Sequence, residues 1–250
     1  MTGNNANTWK PSRNDWYETV KLNYGHDFRQ GADASHLDCY ADANVDEVPD
    51  TWRKMDAVLE YWQNLGVRGF RCDMAHMVPV PFWKWTISRA RKRDGDVYIT
   101  GEAYELDPAK LSHGNILDEL LEAGFDSVYD SESYDLLKAV YEAGKWANDI
   151  DDLLWDETRL HKMVRYVENH DEVRVASLSH WGGWGANVGK AASAVLMGIG
   201  RGPALMYSGQ EVAEPADGSE GFCGDDGRTT IFESEPSGLG TPSHGVSHIC

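Results

Sequence analysis

Three apolar segments of this sequence each end abruptly in an acidic residue. Gly66–Asp73 ends in Arg-x-Asp, Val97–Glu102 ends in Gly-Glu, and Tyr166–Asp171 ends in Asn-His-Asp. A buried strand tolerates a charge only where the charge is paired or used, so these endings indicate functional groups. Acids at the ends of several parallel strands are how a (β/α)8 barrel builds its active site. We therefore predict an α/β fold that presents these acids at the carboxyl ends of its strands.

Short apolar stretches alternate with amphipathic stretches along most of the chain, which predicts strand–helix units and a parallel sheet. The 29 residues from Asp73 to Glu102 suit one such unit, and the 69 residues from Glu102 to Asp171 suit two units with an inserted loop. The first predicted strand ends at residue 73. The other predicted strands span 97–101, 125–129, 163–169 and 203–207. The predicted helices span 51–65, 82–92, 116–123, 134–141 and 188–199.

The first predicted helix carries a clear amphipathic pattern. Its apolar side chains recur at three- and four-residue steps, and Asp50 is a good N-cap for it. The pattern predicts a helix with one apolar face. That face consists of Met55, Val58, Leu59, Trp62 and Leu65.

The chain supplies about five predicted strands, whereas a complete (β/α)8 TIM barrel needs eight and typically ~250 residues for the barrel alone. We expect an incomplete barrel that corresponds to about strands four to eight, with two unpaired edges. The predicted organisation is an N-terminal segment and loop region over 1–50, a partial barrel over 51–232, and a disordered tail over 233–250. The tail is rich in Ser, Gly, Pro and His.

The composition argues against several kinds of partner. A net charge of −18 disfavours nucleic acid and anionic membranes, because phosphate binding needs clustered Lys and Arg. The acidity predicts a solvated surface, with a Ca²⁺ site as the alternative. The Gly/Asp loop over 224–228 either binds a cation or is a plain loop, and no other cofactor and no metal ligand is assigned. The sequence does not indicate an oligomeric state.

The sequence has no uncharged apolar run long enough for a transmembrane helix, so no membrane association is expected. The first residues lack the basic start and the apolar segment of a signal peptide. The predicted location is therefore the cytoplasm, unless the true N-terminus is missing. Four scattered cysteines with no C-x-x-C pair suggest neither zinc nor a disulfide framework. Cys72 is predicted to be a buried, small apolar residue on the strand face opposite Arg71 and Asp73.

Three short motifs resemble, in order, the second, third and fourth signature regions of the α-amylase family of glycoside hydrolases (family 13). They are Gly69–Asp73, Gly101–Ala103 and Glu168–Asp171. Any one of these motifs would be a weak signal, but three in the right order at suitable spacing are a strong one. The family's first signature region, a strand that ends in Asp-x-x-x-Asn-His, is absent. The resemblance implies the C-terminal part of a catalytic barrel.

The resemblance implies a retaining mechanism, in which one carboxyl group attacks the anomeric carbon and a second protonates the leaving oxygen. Asp73 would be the nucleophile, and Arg71 on the same strand face would hold the pKa of Asp73 down. Glu102 would be the general acid/base, and its apolar strand with no adjacent cation would let desolvation raise its pKa. Asp171 would be a third acid that binds sugar hydroxyls and stabilises positive charge at the transition state.

For the other candidate sugar contacts, the sequence mostly leaves two interpretations open. By the same resemblance, His170 would contact the sugar that the third acid binds. His76 is either a sugar contact or a loop histidine, and Tyr104 is either a sugar platform or a packing residue. Trp181 and Trp184 stack on sugar or belong to the core.

Three interpretations of function remain open at this point. The first is an enzyme acting on an α-glucan or a maltooligosaccharide, by hydrolysis or by transglycosylation, since water or a sugar hydroxyl can intercept the same intermediate. The segment Asp73–Trp83 resembles a loop of bacterial maltosyltransferases that use maltose 1-phosphate, which keeps transfer open. The second is a non-catalytic relative, against which the presence of all three acids argues. The third is an enzyme-derived chain that is inactive because it is incomplete.

Overall fold

The computed structural model describes residues 22–27, 33–104, 114–153 and 157–215. It divides into two compact units, the first ending at Tyr129 and the second beginning at Asp130. The predicted loop over 224–228 and the predicted tail over 233–250 lie outside the described residues. Within the described residues, no helix is both long and apolar enough to cross a membrane.

The first unit contains a parallel sheet of three strands, which confirms the α/β prediction for this part of the chain. The strands are β1 (Gly69–Cys72), β2 (Tyr98–Gly101) and β3 (Ser127–Tyr129). Strand β1 pairs with β2, and β2 pairs with β3, both in parallel. Cys72 lies opposite Gly101, so the residues that follow β1 and β2 leave the sheet at the same edge.

Three helices of the first unit form where the sequence predicts them, within two residues at each end. They are α1 (Asp50–Asn64), α2 (Val80–Arg93) and α3 (Ile116–Ala123). Helix α3 has a well-defined start because the Asn115 side chain accepts a hydrogen bond from the Leu117 backbone N–H at 3.0 Å. Helix α2 ends in Arg91, Lys92 and Arg93, whose charges interact favourably with the helix dipole.

The N-terminus and the buried face of α1 differ from the prediction. Pro49, not Asp50, occupies the N-cap position, and the Asp50 carboxylate instead pairs with Lys54 at 2.6 Å. Trp52 is fully buried and donates its indole N–H to the Tyr24 carbonyl at 3.0 Å. Asp56 is also buried, because two arginines of α2 bind its carboxylate at 2.7 and 2.9 Å. Contacts with α2 therefore decide which face of α1 is covered.

Three residues of the predicted apolar face of α1, together with Tyr61, are exposed. The exposed fractions are 48% for Val58, 60% for Tyr61, 47% for Trp62 and 62% for Leu65. These four residues recur at three- and four-residue steps, so they form one continuous stripe along the helix. We call this set the α1 apolar stripe.

The second unit contains helices α4 (Ser131–Glu142), α5 (Glu157–Leu160) and α6 (Ala186–Gly198) and strand β4 (Met163–Val164). The predicted strand over 163–169 is thus shorter than expected, and the strand predicted over 203–207 is reduced to a single parallel bridge. That bridge joins Arg165 to Ala204, with backbone hydrogen bonds of 2.8 Å on either side. After this bridge the chain leaves the sheet, and the Glu168 carboxylate bonds the Val175 backbone N–H.

Candidate active site

Arg71 lies at the centre of the candidate site in the first unit. Its Nη1 donates to the Asp73 carboxylate, and its Nη2 lies 3.0 Å from Oε2 of Glu102. Its Nε donates to the Tyr129 hydroxyl at 3.4 Å, and the guanidinium carbon lies 5.5 Å from the centre of the Tyr129 ring. The predicted pairing of Arg71 with Asp73 is therefore confirmed, and one guanidinium holds both carboxylates beside each other.

The two acids that Arg71 binds differ in their exposure to solvent. The Glu102 side chain is 4% exposed, whereas the Asp73 side chain is 62% exposed. Burial opposes the charge of Arg71, but the hydrogen bond to Tyr129 and the charge of Glu102 outweigh it and raise the pKa of Arg71 above its ordinary value. Arg71 is therefore a permanent cation that faces one buried acid and one accessible acid.

The expectation that Glu102 has no adjacent cation is wrong. Arg71 precedes Glu102 by 31 residues in the chain, but the parallel pairing of β1 with β2 places Arg71 beside it. The prediction considered only the neighbours of Glu102 on its own strand. A parallel partner strand contributes neighbours that sequence spacing does not indicate.

Glu102 is held by further contacts, from the loop after β1 and from Tyr104. Its Oε2 accepts the Met74 backbone N–H at 2.8 Å, and its Oε1 accepts the Tyr104 hydroxyl at 3.2 Å. Its own backbone bonds to Cys72 at 2.9 Å and to Ala75 at 2.8 Å. Met74 has a φ of 48°, a left-handed conformation that costs a non-glycine residue about 1–3 kcal/mol. The strained turn after Asp73 thus aims a backbone N–H at the buried acid.

His76 and Tyr104 lie beside each other next to Glu102. His76 is 3% exposed, and its ring packs edge-on against the Tyr104 ring with 5.6 Å between the centroids. The Tyr104 hydroxyl donates to Glu102, so His76 packs against a residue that binds the acid. Their roles in sugar binding stay predictions.

Cys72 is half-buried, and burial raises the pKa of its thiol to about 12. At neutral pH the residue is therefore a thiol, which is a poor nucleophile. Cys72 is therefore less buried than predicted, while its high pKa agrees with the prediction that it is not a nucleophile.

His170 and Asp171 lie together in the second unit, on the turn that follows β4. His170 Nε2 is 3.1 Å from Asp171 Oδ2, and the two side chains are 50% and 41% exposed. The Asp171 backbone N–H donates to Asn169 Oδ1 at 2.8 Å, which fixes the turn. The structure thus brings Arg71, Asp73, Glu102, His76 and Tyr104 together in one unit, and His170 and Asp171 in the other.

Trp181 and Trp184 have different environments, although the sequence treats them alike. Trp181 is fully buried and packs against Tyr134 and Tyr141, with ring centroids 5.7 and 5.8 Å away. Trp184 is 66% exposed. Trp181 is therefore a core residue, and only Trp184 presents a ring to solvent.

The sequence does not reveal that Tyr129 and Met74 contact the residues around Asp73 and Glu102. It also does not reveal that Glu168 and Arg174 form a buried ion pair at 2.8 Å near Asp171. Tyr129 was detectable, because it ends a predicted strand just as the acids do. Met74 gave no signal, since its role depends on backbone conformation. The pairing of Glu168 with Arg174 depends on a turn whose shape the sequence does not reveal.

A comparison with protein-family profiles finds no match for the sequence. Comparisons with single proteins do find relatives. An α-1,4-glucan:maltose-1-phosphate maltosyltransferase of Cereibacter sphaeroides is 26% identical over 177 residues, which cover 70% of this chain and 27% of that protein. The α-amylase MalA of Haloarcula japonica is 30% identical over 180 residues, which cover 70% of this chain and 24% of that protein. The chain thus spans about a quarter of the length of these curated relatives.

The fold is also similar to that of a solved α-amylase. A crystal structure of an α-amylase from Lactobacillus plantarum matches 90% of this chain and 48% of its own chain, with a TM-score of 0.62 and 21% sequence identity. The sequence relatives are maltosyltransferases and an α-amylase, so the predicted resemblance to the α-amylase family of glycoside hydrolases is confirmed, and the solved structure supports the same fold.

Proposed function

We propose that this chain carries the catalytic acids of a retaining enzyme that acts on an α-glucan or a maltooligosaccharide. Asp73 is the nucleophile and Glu102 the general acid/base. The observation that carries the proposal is the contact of one guanidinium, that of Arg71, with both carboxylates. A retaining glycosidase needs two carboxyl groups close together, one accessible to the sugar and one able to exchange a proton.

The two carboxylates differ in accessibility, one being exposed and the other buried. Asp73 is exposed, so it can reach an anomeric carbon, and the Arg71 guanidinium binds its carboxylate. Glu102 is buried and accepts hydrogen bonds from Met74 and Tyr104, which fix its orientation. In the first step an Asp73 oxygen bonds to the anomeric carbon, the bond to the leaving oxygen breaks, and Glu102 gives that oxygen its proton. In the second step Glu102 takes a proton from the attacking hydroxyl, which displaces Asp73.

Asp171 and His170 complete the proposed assignment. Asp171 serves as the third acid, which binds sugar hydroxyls and stabilises the positive charge of the transition state without forming a covalent bond. His170 contacts the same sugar. The support for these roles is the Asn-His-Asp motif and the exposure of both side chains on a fixed turn.

Transfer to a sugar acceptor is the second candidate function. The Cereibacter sphaeroides relative is a maltosyltransferase that uses maltose 1-phosphate, and a Corynebacterium glutamicum relative of the same name is 31% identical over 168 residues. If the chain follows these relatives, maltose 1-phosphate with glycogen as acceptor gives free phosphate and a lengthened glucan. If it follows the Haloarcula japonica amylase, maltooligosaccharides alone give shorter sugars at a rate that added acceptor does not change.

We further propose that these residues are part of a larger barrel. In the described residues β1 pairs only with β2, so its other edge is open, and the α1 apolar stripe is exposed. An open edge and an exposed apolar face are what a further strand–helix unit would cover. The chain alone would then show little or no turnover.

A chimera tests both proposals. The residues of this chain that align with the Haloarcula japonica α-amylase replace their counterparts in that enzyme, and starch hydrolysis is compared with that of the 250-residue chain alone. We expect turnover by the chimera and at least 100-fold less by the chain. Equal turnover by the two proteins would contradict the incomplete-barrel proposal.

The catalytic assignment is tested in whichever protein is active. Asp73→Asn should abolish the covalent adduct that a fluorinated α-glucosyl donor forms, as measured by the mass of the intact protein. Glu102→Gln should slow both chemical steps, and a good leaving group should restore the first step only. Near-full activity of Asp73→Asn would refute its role as nucleophile.

A further inference from the structure

Two buried charges lie at the base of the turn that carries Asp171. Arg174 Nη1 is 2.8 Å from Glu168 Oε1, and these side chains are only 3% and 1% exposed. The other carboxylate oxygen of Glu168 accepts the Val175 backbone N–H at 2.7 Å. One carboxylate therefore binds two consecutive residues, six and seven positions along the chain, and closes the segment between them into a ring.

The apex of this ring has the opposite character from its base. His170 and Asp171 are about half exposed, and the backbone N–H of Asp171 is held by the Asn169 side chain at 2.8 Å. The turn therefore has a buried, hydrogen-bonded foot and an exposed, acidic tip. Such a supporting shell can hold a reactive side chain in one place.

Arg174 also connects this turn to a second segment of the same unit. Its guanidinium lies 4.3 Å from the centre of the Tyr207 ring, and its terminal nitrogens lie within 3.5 Å of the position that a Cβ would occupy on Gly209. Gly209 has a φ of 94°, so it adopts a conformation that favours glycine and leaves room for the guanidinium. The cation is thus confined by a carboxylate on one side and by an aromatic ring and a bare backbone on the other.

We propose that Glu168 and Arg174 are positioning residues that fix the turn bearing Asp171. Neither residue touches the substrate. A buried ion pair is a weak source of stability, because the desolvation of both charges offsets their attraction. Its geometric effect is larger, since a guanidinium and a carboxylate join at fixed angles. The inference rests on the proposed function only where it gives Asp171 a catalytic role.

The second unit offers a matched control. Arg165 and Asp130 form another buried ion pair at 2.8 Å, with side chains 3% and 4% exposed. Arg165 also donates to the carbonyls of Leu160 and Met163, at 3.1 and 2.9 Å, and so ties down the start of β4. This pair matches the first in burial and distance, but these contacts lie outside residues 169–175.

The first test needs no enzymatic activity. Amide hydrogen exchange over residues 169–175 is measured in the full chain for Glu168→Gln, Arg174→Lys and Arg165→Lys. Glutamine has only one acceptor oxygen, so one of the two N–H donors that face residue 168 then meets an NH₂ group. Lysine keeps the charge of Arg174 but cannot reproduce its planar contacts. We expect at least 10-fold faster exchange at Asp171 and Val175 in both variants of the pair, and less than a twofold change in Arg165→Lys.

Equal exchange in all three variants would overturn the inference, and so would an acceleration in Arg165→Lys as large as in the others. Two variants of the pair are used so that a failure of one to fold does not remove the test. The experiment is independent of the catalytic proposal, because it follows only the order of the turn.

The second test uses the active form of the enzyme. If Glu168 acts through Asp171, Glu168→Gln should lower kcat about 10- to 100-fold with KM changed less than threefold. In an Asp171→Asn background the same change should have almost no further effect. A full additional loss in that background would refute positioning through Asp171. If Asp171→Asn itself left activity unchanged, the proposed role of Asp171 would be wrong, while the exchange result would still decide whether the pair fixes the turn.

Discussion

Replacement of Arg71 by lysine is the sharpest test of the arrangement in the first unit. The guanidinium binds Asp73, Glu102 and Tyr129 through three different nitrogens. A lysine ammonium keeps the positive charge, but it is a single point on a flexible stem and cannot reproduce this fork. The substitution therefore removes the geometry and leaves the net charge unchanged.

The size of the effect follows from the exposure of the two acids. Loss of one partner from a fully buried ion pair costs about 3–5 kcal/mol. The Arg71 side chain is 29% exposed, and lysine retains the charge nearby, so we expect about 2–3 kcal/mol from the contact with Glu102. Asp73 is 62% exposed, and screening by solvent limits its contact to about 0–1 kcal/mol. The total of about 3 kcal/mol is the expected loss of folding stability. If the same contacts are needed in the transition state, it also corresponds to a roughly 100-fold lower kcat/KM.

The assay is kcat/KM for a maltooligosaccharide in the active form of the enzyme, together with a thermal unfolding curve of each variant. Arg68→Lys is the control, because Arg68 also binds two carboxylates, those of Asp94 and Asp96, but its side chain is 59% exposed. We expect Arg68→Lys to have normal activity. Normal folding of Arg71→Lys with activity within threefold of the parent enzyme would refute the proposed importance of the fork.

Three further predictions concern other parts of the chain. Tyr129→Phe should lower kcat/KM by about 3- to 10-fold and the free energy of unfolding by at most about 1 kcal/mol, because it removes one long hydrogen bond to the guanidinium. Burial raises the pKa of Glu172, so folding favours its protonated form and stability falls as the pH rises above the ordinary value of about 4.3. Glu172→Gln should therefore raise Tm at pH 7 and leave it unchanged at about pH 3, and an equal shift at both values would contradict the burial argument. Gly202→Ala should cost about 1–3 kcal/mol by denaturant unfolding, because its Cβ would overlap the Met163 carbonyl. Gly198→Ala has no atom within 4 Å of the new methyl group and should be neutral or stabilising.

Local patterns were sufficient to locate most of the secondary structure. Helix α3 has its predicted bounds, because its apolar spacing, the Asn115 cap and the terminal Gly124 all act within a few residues of one another. Strands β1 and β2 end at the acids for the same reason, since an apolar run and the charge that stops it are adjacent in the chain. These features depend on short-range interactions, and a single sequence contains all the information about them.

Such local patterns do not identify partners from distant parts of the chain. The periodicity of α1 was correct, but the arginines of α2 that bind Asp56 decided which face is buried. Trp181 and Trp184 sit in the same short motif, and only packing against α4 separates a core residue from an exposed one. Sequence spacing cannot predict these outcomes, because burial depends on what the rest of the unit supplies.

The sequence by itself determined that this chain has strand–helix units, acids at strand ends, and motifs in the order of the α-amylase family. Only the tertiary structure decided that Arg71 binds Glu102 as well as Asp73, and that Glu168 closes the turn below Asp171. The physical reason is that a side chain's charge and polarity are local properties, whereas its partner is set by strand register and by the path of the turn.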